Sequence, residues 1–127
     1  MDPDRATLNA ITERIIGCAF TVANALGQGF SEKVYENALA HELEKAGLGV
    51  DRQYGIVVHY DGIIVGTYIA DILVQKSVLV ELKAVRALDS GHAGQCLNYL
   101  AATRLPLCLL LNFGARRLEV RRLIRFS

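Results

Sequence analysis

The chain has 127 residues, 52% of them hydrophobic and 21% charged, which is one domain's length and a globular rather than a disordered composition. Its formal net charge is +1, so bulk charge gives no argument for a polyanionic partner, and any such argument must come from clustering. Three cysteines, Cys18, Cys96 and Cys108, form no CxxC pair, which disfavours zinc and iron–sulfur sites and leaves each as a small buried apolar residue in a reducing compartment. The longest uninterrupted apolar run, Leu107 to Leu111, is far short of the ~18–20 residues of a membrane span. The first residues show no basic segment leading into an apolar one. A cytoplasmic protein with no membrane partner, a single domain over residues 1–127, is the expectation.

Asp2-Pro3-Asp4 is a helix-start signal. Leu8, Ile11, Ile15, Ala19, Val22 and Leu26 then recur at three- and four-residue spacing, which predicts an amphipathic helix to about Leu26, ended by Gly27-Gln28-Gly29. A second helix is predicted from about Ser31 to Ala46, with Ser31 as N-cap and Gly47 as stop. Its buried stripe is Tyr35, Ala38, Leu39, Leu43 and Ala46. Glu32 falls at the edge of that stripe and not with Lys33, Asn37 and Glu44 on the solvent face, so it is either a carboxylate favoured by the helix dipole or a site residue. Glu42 also lies on the apolar side and fits a satisfied structural carboxylate better.

Asp61-Gly62, set between Val57–Tyr60 and Ile63–Val65, is a strong signal for a two-residue type I′ hairpin. Its register sums to 123 and places Arg52 near Asp71, so one reading of Asp71 is an ion pair with Arg52. A second hairpin joins Tyr68–Val74 to Val78–Ala84 through Gln75-Lys76-Ser77. With Val74 facing Val78, the pairs sum to 152, Asp71 lies opposite Glu81, and Asp71, Glu81 and Lys83 share one face. Like charges directly opposed at roughly 4.5–5.5 Å are destabilising. A divalent cation between the two carboxylates would remove the objection, because Mg²⁺ takes hard oxygen ligands from one or two carboxylates. The Lys83 ammonium beside them suits an attacking hydroxide or a developing phosphate charge.

Asp89 or Ser90 caps a third predicted helix reaching about Thr103, with His92, Gln95, Cys96, Tyr99 and Leu100 on one stripe. Tyr99 there fits core packing, Gln95 needs partners for a buried amide, and the solitary His92 fits the rim. Leu107–Leu111 has no alternation and reads as a strand buried on both faces, parallel to an earlier one, so the sheet is expected to be mixed. Leu118–Ile124 is the last strand. Arg116, Arg117, Arg121, Arg122 and Arg125 cluster around it, either as charges guarding a sheet edge or as a phosphate-contacting surface.

Asp71, a ten-residue step, then Glu81-Leu82-Lys83 resembles the D…(D/E)xK core of the PD-(D/E)XK nuclease superfamily. Gly29-x-x-Glu32-x-x-Tyr35 resembles the signature of the GxxExxY family, a branch of that superfamily, and Gln95-x-x-x-Tyr99 resembles the QxxxY element of RecB-like nucleases. The three elements stand in order over about Ile11 to Leu123. The resemblance implies a restriction-endonuclease-like α/β core, a central mixed sheet flanked by helices. It implies a metal-dependent nuclease acting on nucleic acid, with DNA the expected substrate. Asp71, Glu81, the Leu82 carbonyl and Glu32 would hold Mg²⁺ or Mn²⁺. Lys83 would position or activate the attacking water, Gln95 would orient the lysine or the water, and Tyr99, Arg52 and Arg121 would contact the substrate. Two other readings stand beside it. One is a binding or regulatory module that keeps the fold without cutting, since Ala70 stands where the superfamily name has proline and no separate recognition insert is present. The other is a small homodimer paired through the first helix.

Overall fold

The structure, a computed structural model, describes residues 3–125. Two N-terminal segments with helical periodicity form α1 (Arg5–Leu26) and α2 (Glu32–Lys45). Asp4 caps α1, accepting a hydrogen bond from the Thr7 amide at 2.8 Å, while Asp2 of the predicted start signal lies outside the described residues. Five strands follow in one sheet: β1 (Val50–Tyr60), β2 (Ile63–Val74), β3 (Val78–Lys83), β4 (Leu107–Asn112) and β5 (Glu119–Ile124), with α3 (Ser90–Thr103) between β3 and β4. The strands lie side by side in chain order. β3 and β4 are parallel, joined through α3, and every other neighbouring pair is antiparallel, so the sheet is mixed as expected.

Alternation along the strands divides the core into two layers. Ile72, Val74, Val80, Leu82, Leu109 and Leu111 pack against Ile15, Ala19 and Val22 of α1 and Tyr35, Leu39 and Leu43 of α2. Leu73, Leu79, Cys108 and Leu110 face the other way, against Cys96, Tyr99 and Leu100 of α3. Glu81, between Leu79 and Lys83 in the alternation, therefore takes a position on the α3 side of the sheet.

The two turns fix the registers. Gln75 and Lys76 take left-handed backbone, with φ of 53° and 54°, and the Ser77 amide closes the turn on the Val74 carbonyl, so Val74 pairs with Val78 as expected. Asp61 and Gly62, with φ of 52° and 78°, make the first hairpin turn, and the sum of 123 holds for Tyr60–Ile63 and His59–Ile64. A bulge between Val58 and His59 then shifts the register by one. Arg52 consequently pairs with Ile72, and the ion pair with Asp71 that stood as an alternative reading does not form: the guanidinium reaches Glu36 instead, at 2.7 Å.

The segment after β3 is held by the fully buried Asn112. Its Oδ1 accepts from the Val85 and Gly114 amides, both at 3.0 Å, and its Nδ2 donates to the Val85 carbonyl at 2.9 Å. A Cβ on Gly114 would stand 2.4 Å from Val85 N and 2.5 Å from the Ala84 carbonyl carbon, both backbone atoms that cannot swing aside. Gly114→Ala should therefore destabilise the protein by roughly 1–3 kcal/mol. Urea unfolding checks this, and a midpoint unchanged from wild type would contradict the clamp.

Candidate active site

The β2–β3 ladder runs Val74–Val78, Leu73–Leu79, Ile72–Val80 and stops one pair short of Asp71 and Glu81. Those two residues stand opposite each other, yet their side chains take over the bonding. The Asp71 amide donates to Glu81 Oε1 at 2.9 Å, and the Leu82 amide donates to Asp71 Oδ2 at 2.8 Å. Both carboxylates thus sit in the gap where the strands part. A strand residue sends its N–H and C=O to the same neighbour, so the Leu82 carbonyl also belongs to this gap.

The parting has a local cause. Ile72 packs on the α1/α2 side and Leu73 on the α3 side, but Ala70 packs with Leu73, where strict alternation would group it with Ile72. The partner strand breaks at the same level. Tyr54, which pairs with Ala70, is on the α3 side, and Gln53 between it and Arg52 has φ of 53°. The pleat is lost at Asp71 and Gln53, so Asp71 turns sideways towards β3 and does not share a face with Glu81 in the simple manner expected.

Electrostatics mark the pair. Glu81 is only 4% exposed; burial first, then the charge of Asp71, push its carboxyl up to about 8, with the Asp71 amide and Lys83 opposing. Burial also raises Asp71, opposed by the Leu82 amide and Lys83 and reinforced by Glu36 and Glu32. The Lys83 ammonium donates to Gln95 Oε1 at 3.4 Å, which joins β3 to α3 above the gap.

The structure brings some of the other expected residues to this place and directs others elsewhere. Glu32, at the start of α2, is exposed, yet its charge raises both Asp71 and Glu81. Among the described residues no three His, Cys, Asp or Glu side chains gather as a metal-holding group, so Glu32 stands near the pair without closing on it. Tyr99 is 5% exposed and kept neutral: burial, then Glu81, push its phenol up to about 12. Arg121 pairs with Leu110, which itself pairs with Glu81, so it lies two strands away in the same row, exposed. His92 completes a capping box with Asp89 and has a structural role. Tyr35 is also structural: its hydroxyl donates to the Gly27 carbonyl at 2.5 Å and its ring stacks on Phe113 at 4.7 Å.

Glu36 is the residue that the sequence pattern did not single out. It is 4% exposed and accepts from Arg52 at 2.7 Å, Gln53 at 3.0 Å and Lys33 at 3.3 Å. Burial raises its carboxyl, but these donors outweigh burial and hold it below the ordinary range. One signal was available, its position three residues before Leu39 on the inner stripe of α2.

A model of the PD-(D/E)XK nuclease superfamily matches residues 9–123. The chain belongs to the PD-(D/E)XK nuclease superfamily. Solved structures agree on the fold. A protein whose crystal structure is described as SSO0001 superposes with a TM-score of 0.59 at 17% identity, over 75% of this chain and 50% of that one. LHK-Exo, solved in complex with dAMP, superposes with a TM-score of 0.51 at 16% identity, over 85% of this chain and 76% of that one. This chain thus spans about half the length of the first of these. No curated protein is detectably similar in sequence. The five-stranded mixed sheet between helices is the restriction-endonuclease-like α/β core of this superfamily.

A carboxyl raised from 4.5 to about 8 holds its proton more tightly in the folded than in the unfolded chain. Its contribution to stability is complete below the ordinary value and is lost as pH rises through the folded one, at up to about 1.4 kcal/mol per pH unit. Glu81→Gln keeps an acceptor for the Asp71 amide and removes the titration. It should melt with the metal-free wild type near pH 4 and clearly above it near pH 9. Thermal melts in EDTA across that range check this, and a pH-independent difference would contradict it.

Proposed function

We propose that the chain is a Mg²⁺- or Mn²⁺-dependent phosphodiesterase of the GxxExxY branch, acting on nucleic acid and on DNA in the first place. The observation that carries this reading is the Asp71–Glu81 pair, a half-buried and a buried carboxylate each accepting a backbone amide of the opposite strand where the β2–β3 ladder ends. The donor set suits a small hard cation, and a Glu81 proton held to about 8 is one that such a cation would displace. Asp71, Glu81 and the Leu82 carbonyl hold the ion, and Glu32 adds negative charge at the mouth of the site. When bound, the ion supplies Lewis-acid charge at the phosphoryl oxygens and the attacking water. Lys83, steadied by Gln95, offers its ammonium to the water or to the charge that develops on phosphate. Tyr99 offers a neutral hydroxyl beside them. Arg121 is placed for a more distant contact, while Arg52 is engaged by Glu36 and Asn37 and acts through the shape of β1.

The second reading, a non-cutting module that keeps the fold, draws support from Glu32 standing apart from the pair and from the absence of a three-ligand group among the described residues. Among those residues no helix is long and apolar enough to cross a membrane. A cytoplasmic setting and pairing of two copies to cut both strands belong to the proposal, and gel filtration reads the second directly.

Metal separates the readings. A ligand that binds only the folded state stabilises it by about 2.7 kcal/mol at one hundred times its dissociation constant. The wild type should melt higher in excess Mg²⁺ than in EDTA and should cleave DNA with Mn²⁺. Asp71→Asn should lose both effects while matching or exceeding the wild type in EDTA, since it keeps an acceptor for the Leu82 amide and removes a repelling charge. A wild type indifferent to metal would sink the nuclease reading.

A further inference from the structure

Beside the carboxylate gap, the outer half of the β1–β2 hairpin and helix α3 enclose a cavity of about 450 Å³. Val58, His59 and Tyr68 line it from the hairpin, and Asn98, Tyr99 and Ala101 from the helix. The roles proposed above for the carboxylates and Lys83 leave this cavity unused. Its walls carry no lysine, arginine or carboxylate, so they offer a phosphate nothing and a flat neutral ring a great deal.

Two observations point to a ligand. Tyr99 is 95% buried (5% exposed), and its hydroxyl makes no hydrogen bond among the described residues. No sealed side-chain oxygen or nitrogen lacks a partner there, so this hydroxyl opens to solvent. Tyr68 keeps 52% of its surface exposed, with its ring 5.6 Å from that of Tyr99 and tilted by 45°. An exposed aromatic face above a buried aromatic, with the Asn98 amide and the His59 imidazole making no hydrogen bond among the described residues, is the lining a nucleobase uses: one stacking surface and several edge partners. The cavity also adjoins the chemistry, because Tyr99 feels the charges of both Glu81 and Asp71.

We propose that this cavity is a subsite for one unpaired nucleobase, stacked on Tyr68 beside the phosphodiester held at Asp71 and Glu81. The position of that phosphodiester rests on the nuclease reading. A base within duplex is paired and stacked on both sides and reaches such a pocket only by leaving the stack. The substrate class is therefore nucleic acid with an unpaired nucleotide at the scissile position: a single strand, an overhang or a frayed end. Stacking supplies affinity with little regard to base identity.

The test is equilibrium binding in EDTA, where nothing is cut, of a short single-stranded oligonucleotide carrying 2-aminopurine and of a blunt duplex of equal length. Wild type should bind the single strand more tightly and change the 2-aminopurine fluorescence on binding. Tyr68→Ala, at a half-exposed position that leaves the core intact, should weaken single-strand binding by about 5- to 150-fold. Tyr68→Phe should restore it. Ala101→Leu, which fills the cavity from an exposed helix position, should weaken it as well. Single-strand binding unchanged in both Tyr68→Ala and Ala101→Leu, or a blunt duplex preferred by wild type, would overturn the proposal. The two readings fail separately. Metal-dependent cleavage with Tyr68-independent binding removes only the subsite. Tyr68-dependent binding in a protein that neither binds metal nor cuts supports the subsite and removes the nuclease.

Discussion

Two backbone amides, each bonded to a carboxylate of the opposite strand, replace one rung of the β2–β3 ladder, and the rest of the structure depends on this substitution. The Asp71 amide meets Glu81, and the Leu82 amide meets Asp71. An ordinary rung would close the gap and force the side chains out to the faces of the sheet. Here the backbone donors stay satisfied while two acids remain inside a mostly apolar sheet. The lost pleat at Asp71 and Gln53 makes room for them, and Glu36 holds that irregularity by binding Arg52 and Gln53 from α2. Just past the same end of β3, Asn112 fixes the chain after Lys83.

The distribution of positive charge is as informative as the acids. Glu36, a structural carboxylate, takes three donors including Arg52 and Lys33, and is left charged and content. Glu81 is buried and Asp71 half-buried; among the described residues the cation that opposes the raised state of both is Lys83, and its ammonium is drawn towards Gln95. A fold optimised for stability alone would send the cations to the crowded pair. Withholding them leaves Glu81 holding a proton in the metal-free protein, and the divalent cation proposed for the pair would take that proton's place.

Much of this was legible in the sequence where one physical constraint dominated. The helices followed from periodicity, and the β2–β3 register followed from apolar strands meeting across a short polar turn; continued one pair past the end of the ladder, it sets Asp71 against Glu81. The β1–β2 register was right at the turn and wrong beyond the bulge at Val58 and His59, because nothing local announces an extra residue on one strand. That single step moved Arg52 from Asp71 to Glu36. The sideways turn of Asp71 was also illegible, since it comes from a tertiary break in both strands. Glu36 looked like any helical carboxylate until β1 brought two donors to it. The cavity between hairpin and α3 depends on the length of the hairpin, and the apolar residues at its tip gave no sign that they would project beyond the core.

Asp71 and Glu81 form one crowded acid pair, and the proposed function requires that it accept a cation. A ¹³C NMR titration of the Glu81 carboxyl carbon, with and without Mg²⁺, tests it most directly. The midpoint should lie near 8 in the metal-free protein and fall markedly when Mg²⁺ is present. A carboxyl that titrates in the ordinary glutamate range and is unmoved by Mg²⁺ would contradict it.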